Sequence, residues 1–141
     1  MGEIRQLSEE HEIRAAFPVM SQLRTHLSEA LFYEMFQQMQ KEGYNLIANY
    51  QNEKIVALAG FAILTNFYDG KHVYLYDLVT DGSERTKGYG EELLSYIESY
   101  AVQNNCNGVT LSSNLERVDA HRFYEQKMHY DKPSYVFKKR F

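Results

Sequence analysis

Arg85-Thr86-Lys87-Gly88-Tyr89-Gly90 lies between a strand-like run and a helix-like run, and its reading decides how the chain folds. Upstream, Val73-Tyr74-Leu75-Tyr76-Asp77-Leu78-Val79-Thr80 is apolar and strand-like, and it closes on the polar turn Asp81-Gly82-Ser83-Glu84. Downstream, Leu93, Leu94, Ile97 and Ala101 recur at helical spacing. The glycines therefore open a helix directly after a strand. At such a helix start several backbone N–H groups lack intrahelical partners and the helix dipole is positive, a combination that suits an anion. Gly88 and Gly90 let the backbone approach a phosphate closely, while Arg85 and Lys87 add fixed charge. The stretch reads as a phosphate cradle.

On either side the chain alternates between the two periodicities. Glu3 to Leu7 reads as a short strand, and Phe17 to Leu27 and Ala30 to Lys41 as two helices with Ser28 capping the second. Tyr44 to Tyr50 and Lys54 to Leu64 form a hairpin around Gln51-Asn52-Glu53, and a turn at Asn66 to Gly70 leads into Lys71 to Thr80. The long helix from Gly88 ends near Asn104-Asn105. Val109 to Ser112 reads as a strand, Asp119 to Lys127 as a helix, and Ser134 to Lys139 as a last strand. No repeat or low-complexity linker interrupts this order, so residues 1–141 are expected to form a single domain. Its class is α/β (α+β), with a mixed, mostly antiparallel central sheet and helices on both faces.

Composition excludes several classes of function. A net charge of -4 with 24% charged residues gives no basic stripe for nucleic acid. The longest apolar run, Ile55 to Leu64, falls short of the roughly 18 residues of a membrane span and reads as a buried strand. The first residues lack the apolar stretch of a signal peptide, so the cytoplasm is the expected location. The single cysteine, Cys106, allows no internal disulfide and reads as a small residue between helix and strand.

The glycine loop fits neither of two common phosphate motifs. A Walker loop requires Gly-Lys-Ser/Thr at the helix start, whereas Tyr89 follows Gly88. The dinucleotide fingerprint requires a third glycine and a place directly after the first strand at the chain start, and this loop has neither. A second block, Asp119-Ala120-His121-Arg122-Phe123-Tyr124-Glu125-Gln126-Lys127, supplies what the loop alone lacks. Together the two blocks resemble the GNAT superfamily of N-acetyltransferases. Arg85 to Gly90 is similar to its Gln/Arg-x-x-Gly-x-Gly/Ala signature, and Ala120, Phe123, Tyr124 and Glu125 to its Ala…Phe-Tyr-Glu signature.

The resemblance implies an enzyme that transfers an acetyl group from acetyl-coenzyme A to a primary amine of a small molecule or protein. The transfer would be by direct attack, without a metal or an acyl-enzyme. It implies that the backbone of Arg85, Thr86, Lys87, Gly88, Tyr89 and Gly90 holds the pyrophosphate. It also implies that Leu78, Val79 and Thr80 pair with the pantetheine arm where this strand splays from the Val109 strand. Tyr124 corresponds to the tyrosine that protonates the departing thiolate, a role suited to a phenol. Monomer and homodimer both stay open, with Tyr135-Val136-Phe137 as a candidate edge. A non-catalytic acyl-coenzyme A-binding regulator is the alternative function.

Three positions depart from the family pattern. Thr86 stands where glycine is common, and its β-branch should narrow the loop's backbone freedom. Met128-His129-Tyr130 replaces a Gly-aromatic pair: strict counting puts Met128 at the glycine position, while a one-residue insertion would place His129 there, the preferred alignment because histidine tolerates a left-handed backbone. Arg117 replaces an asparagine. For the base, Asp77 is the only acid of its strand and would orient a water or attract a cationic amine, or else pair with Arg117 or Arg122. His121, Glu116 and His26 are weaker candidates. By family analogy, acceptor contacts would come from Arg24, His26, Tyr33 or Phe67.

Overall fold

The structure, a computed structural model, describes residues 2–141. It divides into two compact units, Met1–Thr110 and Leu111–Phe141. The strands are β1 (Glu3–Leu7), β2 (Asn45–Gln51), β3 (Lys54–Asn66), β4 (Gly70–Thr80) and β5 (Val109–Leu111). They form one sheet in the order β1-β2-β3-β4-β5, and the first four are antiparallel neighbours. The β2–β3 turn holds Asn52 and Glu53 at φ 51° and 64°, the paired left-handed geometry that lets a two-residue hairpin follow the strands' twist. β5 joins in the opposite sense: the Asn107 N–H donates to the Lys71 carbonyl and the Val73 N–H to the Gly108 carbonyl. Residues 71 to 73 and 107 to 108 thus run side by side in the same direction, so the sheet is mixed.

Period-two alternation sends neighbouring strand residues to opposite faces. Leu46, Ala48 and Leu58 join one buried cluster with Ile13, Ala16 and Met20 of α1 (Glu10–Leu23) and Phe32 and Phe36 of α2 (Glu29–Lys41). On the other face, Asn49 bonds the Tyr89 carbonyl and Phe61 packs edge-on to Tyr100, both in α3 (Tyr89–Gln103). Leu93, Leu94 and Ile97 of α3 are fully buried, each contributing about 1.5–3 kcal/mol of hydrophobic stabilisation. Helices therefore flank both faces of the sheet.

The first helix begins earlier than its apolar spacing suggests. A capping box at Glu9 and Glu12, each side chain bonding the other's backbone, starts it at Glu10, and it ends at Leu23 rather than Leu27. Pro18 lies inside it without ending it, and the Pro18 carbonyl accepts from the Ser21 hydroxyl. Ser28 caps α2 as expected, its hydroxyl accepting from the Leu31 N–H. In the second unit, α4 (Val118–Arg122) runs into a π-helical turn, Phe123–Lys127. The expected strand over Ser134–Lys139 does not form. A strand exists only through its ladder, and Tyr135, Val136 and Phe137 lie exposed with no strand assigned. Among the described residues, no helix is long and apolar enough to cross a membrane.

Candidate functional site

The phosphate loop follows β4 through a tightly bonded turn. The Asp81 N–H donates to the Val56 carbonyl, and the Asp81 carboxylate accepts from Ser83 N–H and from Gln22. These contacts, the Ser83 N–H foremost, hold its carboxyl below the usual carboxylate range. The loop backbone then alternates. Arg85 is extended at φ -70°, ψ 160°, whereas Thr86 (φ 66°) and Gly88 (φ 85°) are left-handed. Left-handed residues in a turn are one ingredient of the anion-binding concavities that successive backbone N–H groups form. Gly88 is the N-cap of α3 and offers no side-chain cap, and the Glu92 N–H returns to the Gly88 carbonyl. The amides of Tyr89 and Gly90 therefore head the helix axis. Gly90 meets β4 closely, since a Cβ there would lie 3.2 Å from Thr80 Oγ1. Lys87 is held by Glu84 at 3.1 Å, and Arg85 is exposed.

Leu78, Val79 and Thr80 pair on one side with Ala59, Leu58 and Ala57 of β3. On the other side β5, three residues long and joined at the start of β4, spans only about 10 Å. It is too short to pair with the Leu78–Thr80 end.

Asp77 lies just before that end, and a bulge sets its direction. In the β3–β4 ladder Gly60 faces Asp77 and Phe61 faces Leu75, so Tyr76 is the extra residue. Both Asp77 oxygens are engaged: Arg24 Nε donates to Oδ1 at 2.9 Å, and the Tyr44 hydroxyl donates to Oδ2 at 2.6 Å. Arg24 also donates to the Tyr76 carbonyl at 2.7 Å. Arg24 and Tyr44 thus occupy the place that Arg117 or Arg122 was expected to take; Arg122 instead pairs with Asp119. Gly60 makes the arrangement fit, because a Cβ at that position would fall 1.7 Å from the Tyr44 hydroxyl. Burial, with the Asp77 carboxylate next, pushes the Tyr44 phenol well above its ordinary pKa, so it stays a donor.

Asp77 and Tyr76 form the floor of a cleft of about 210 Å³. Phe32, Met35, Phe36 and Met39 of α2 wall one side. Met20 of α1, with Arg24 and Leu27 beyond it, walls the other. Of the residues expected to touch an acceptor, only Arg24 is here; Phe67 is fully exposed, and His26 and Tyr33 are not part of the lining.

In the second unit, Tyr124 lies in the π-turn and is only 8% exposed. The Met128 N–H reaches back five residues to the Phe123 carbonyl, the bond that defines that turn. A π-turn absorbs one extra residue, and His129 follows at φ 62° in the left-handed place. The Tyr130 N–H then donates to the Tyr124 carbonyl. Burial raises the Tyr124 phenol above its ordinary pKa, with Arg117 opposing, so it is protonated at neutral pH. His121 bonds the Asn114 carbonyl through Nε2, and Glu116 is exposed.

Sequence reasoning missed the Tyr44–Asp77 hydrogen bond and the part of Gly60. Gly60 did carry a signal, as a glycine inside an otherwise apolar strand marks a close approach. Comparison with known proteins bears on the family and the fold. Residues 9–130 match the acetyltransferase (GNAT) family. An uncharacterised N-acetyltransferase, YhdJ of Bacillus subtilis (strain 168), is 40% identical over 140 residues, 99% of each chain. The fold matches aminoglycoside N-acetyltransferase AAC(6')-Iy in complex with CoA at a TM-score of 0.85 and 14% identity, over 100% of this chain and 95% of that one. It also matches a ribosomal-protein-alanine N-acetyltransferase from Brucella melitensis biovar Abortus 2308 at 0.84 and 14%, over 100% and 99%.

Proposed function

For a chain that belongs to the acetyltransferase (GNAT) family, we propose the transfer of an acetyl group from acetyl-coenzyme A to a primary amine. The carrying observation is the uncapped start of α3, whose first backbone N–H groups lack intrahelical partners and follow left-handed Thr86 and Gly88 in the loop of residues 85–90. These amides hold the pyrophosphate of the donor substrate. The unpaired edge of Leu78, Val79 and Thr80 takes the pantetheine arm as a further strand would. The family match crosses the boundary at Thr110, which supports one acetyltransferase domain over 1–141.

The amine nitrogen attacks the thioester carbonyl carbon, the carbon–sulfur bond breaks, and the sulfur takes a proton from Tyr124; the proton lost by the amine passes to solvent water, from which the Tyr124 phenolate regains its own. A phenol held neutral by burial is suited to that step. Asp77 has a different part from free base. With one oxygen on Arg24 and the other on Tyr44, it serves as a positioning group at the acceptor side. Each oxygen keeps a second lone pair with which to orient an amine or a water. The test is calorimetric titration with acetyl-coenzyme A together with thiol-release assays over a panel of amines. Micromolar binding with turnover supports the reading, and absence of binding to folded protein removes it. Binding without turnover of any amine would favour the regulatory alternative.

A further inference from the structure

The cleft between α1, α2 and β4 differs from a site for a polar or polycationic acceptor. Its two charged side chains, Arg24 and Asp77, pair with each other at 2.9 Å and cancel. Arg24 spends a further N–H on the Tyr76 carbonyl. Among the described residues, no second carboxylate lines the cleft to meet a second ammonium group. The remaining surface is Met, Leu, Phe and Tyr, and methionine in particular adapts to ligands of varied outline. Polar side-chain atoms are few: the Tyr44–Asp77 bond, the Arg24 guanidinium paired with Asp77, and the Tyr76 hydroxyl. Apolar walls with a few convergent polar groups are the usual makeup of a site that orients an apolar molecule by one polar end.

Size narrows the class further. The cleft's 210 Å³ exceeds the roughly 150 Å³ of an apolar cavity that holds benzene. It suits one ring bearing a short aminoalkyl arm, or a short aliphatic amine. Met35 of the α2 wall, 43% exposed, is the most open lining residue and marks the side of entry. The floor is on β4 immediately before Leu78, where the proposed thioester strand begins.

We infer that the acceptor is a small primary amine carried on an apolar body, aromatic or aliphatic, seated between α2 and the Tyr76-Asp77 bulge. The inference rests on the acetyltransferase reading and specifies its second substrate. The amine end meets Asp77, and the apolar body lies against Phe32, Met35 and Phe36. Polyamines, sugar phosphates and aminosugars would leave charges or hydroxyls unpaired against these walls.

The test measures kcat/KM for phenethylamine and hexylamine against spermidine, glucosamine 6-phosphate and kanamycin, with acetyl-coenzyme A affinity followed by calorimetry. The expected result is a preference for the apolar amines of at least about tenfold. The variant Met35→Asp, at an exposed position, should lower kcat/KM for those amines about tenfold while leaving acetyl-coenzyme A affinity unchanged. Preference for any of the three polar amines, an unaffected Met35→Asp variant, or coenzyme binding without turnover of either apolar amine would each overturn the inference. Loss of coenzyme binding itself would instead remove the acetyltransferase reading beneath it.

Discussion

Tyr44 donates its phenolic hydrogen to Asp77 at 2.6 Å across the open space left by Gly60 on the intervening strand. Asp77 on β4 is thereby fixed from two elements at once, by Tyr44 at the entry to β2 and by Arg24 after α1. The carboxylate's direction is a property of the assembled sheet and helices.

Removing the Tyr44 hydroxyl should expose the cost of that arrangement. Tyr44→Phe leaves a buried carboxylate oxygen without its donor and should destabilise the protein by about 1–3 kcal/mol in urea unfolding at pH 7. The sign with pH follows from the raised phenol. The native state keeps the Tyr44 proton where the unfolded chain loses it, so its stabilising effect is present below the ordinary phenol pKa and is lost as pH rises above it. The stability gap between wild type and Tyr44→Phe should therefore narrow above pH ~10, by at most about 1.4 kcal/mol per pH unit.

Gly60→Ala tests the same contact from the other side. The added methyl must displace the Tyr44 ring, with an expected loss of about 1–3 kcal/mol in thermal or urea unfolding. A neutral result would show that Tyr44 does not cross the strand at this point.

The phosphate loop predicts opposite outcomes at two neighbouring positions. Thr86 is β-branched and left-handed, a costly conformation that glycine adopts freely. Thr86→Gly should stabilise by about 0.5–1 kcal/mol and retain coenzyme A affinity. Gly88→Ala should cost about 1–2 kcal/mol for its φ of 85° alone, because no atom lies within 4 Å of the added methyl. Coenzyme A affinity, measured by calorimetry, should fall with it.

Tyr124→Phe should lower kcat about 100-fold and leave acetyl-coenzyme A affinity unchanged. Because burial raises the Tyr124 phenol, the loss of wild-type activity that follows its ionisation should come above the ordinary phenol pKa of about 10. A kcat within twofold of wild type would assign the proton to another donor.

Asp77→Asn separates positioning from proton transfer. Replacing the carboxylate breaks the Arg24 ion pair, so kcat/KM should fall by a similar factor at every pH, with the profile's shape retained. Disappearance of the acid limb would instead make Asp77 the base.

Much of the layout follows from local chemistry. The strand ending at Thr80, the glycine-led helix after it, the Asn52-Glu53 hairpin and the Ser28 cap each depend on residues close in the chain. Such features are set by backbone sterics and by hydrogen bonds a few residues apart, which is why composition and spacing reveal them. The first helix starts at Glu10, ahead of its apolar spacing, because its start depends on an unusual Glu9–Glu12 capping box. The strand expected at Ser134–Lys139 failed because alternation cannot supply a partner.

Spacing alone could announce a strand, an amide-rich helix start and a tyrosine on a later turn. It could not say that Arg24, Tyr44 and Asp77 would meet, or that Tyr76 would bulge and open the floor of an apolar cleft. Those outcomes depend on strand register and on which side chain fits over Gly60. Close packing settles both only when every neighbour is in place.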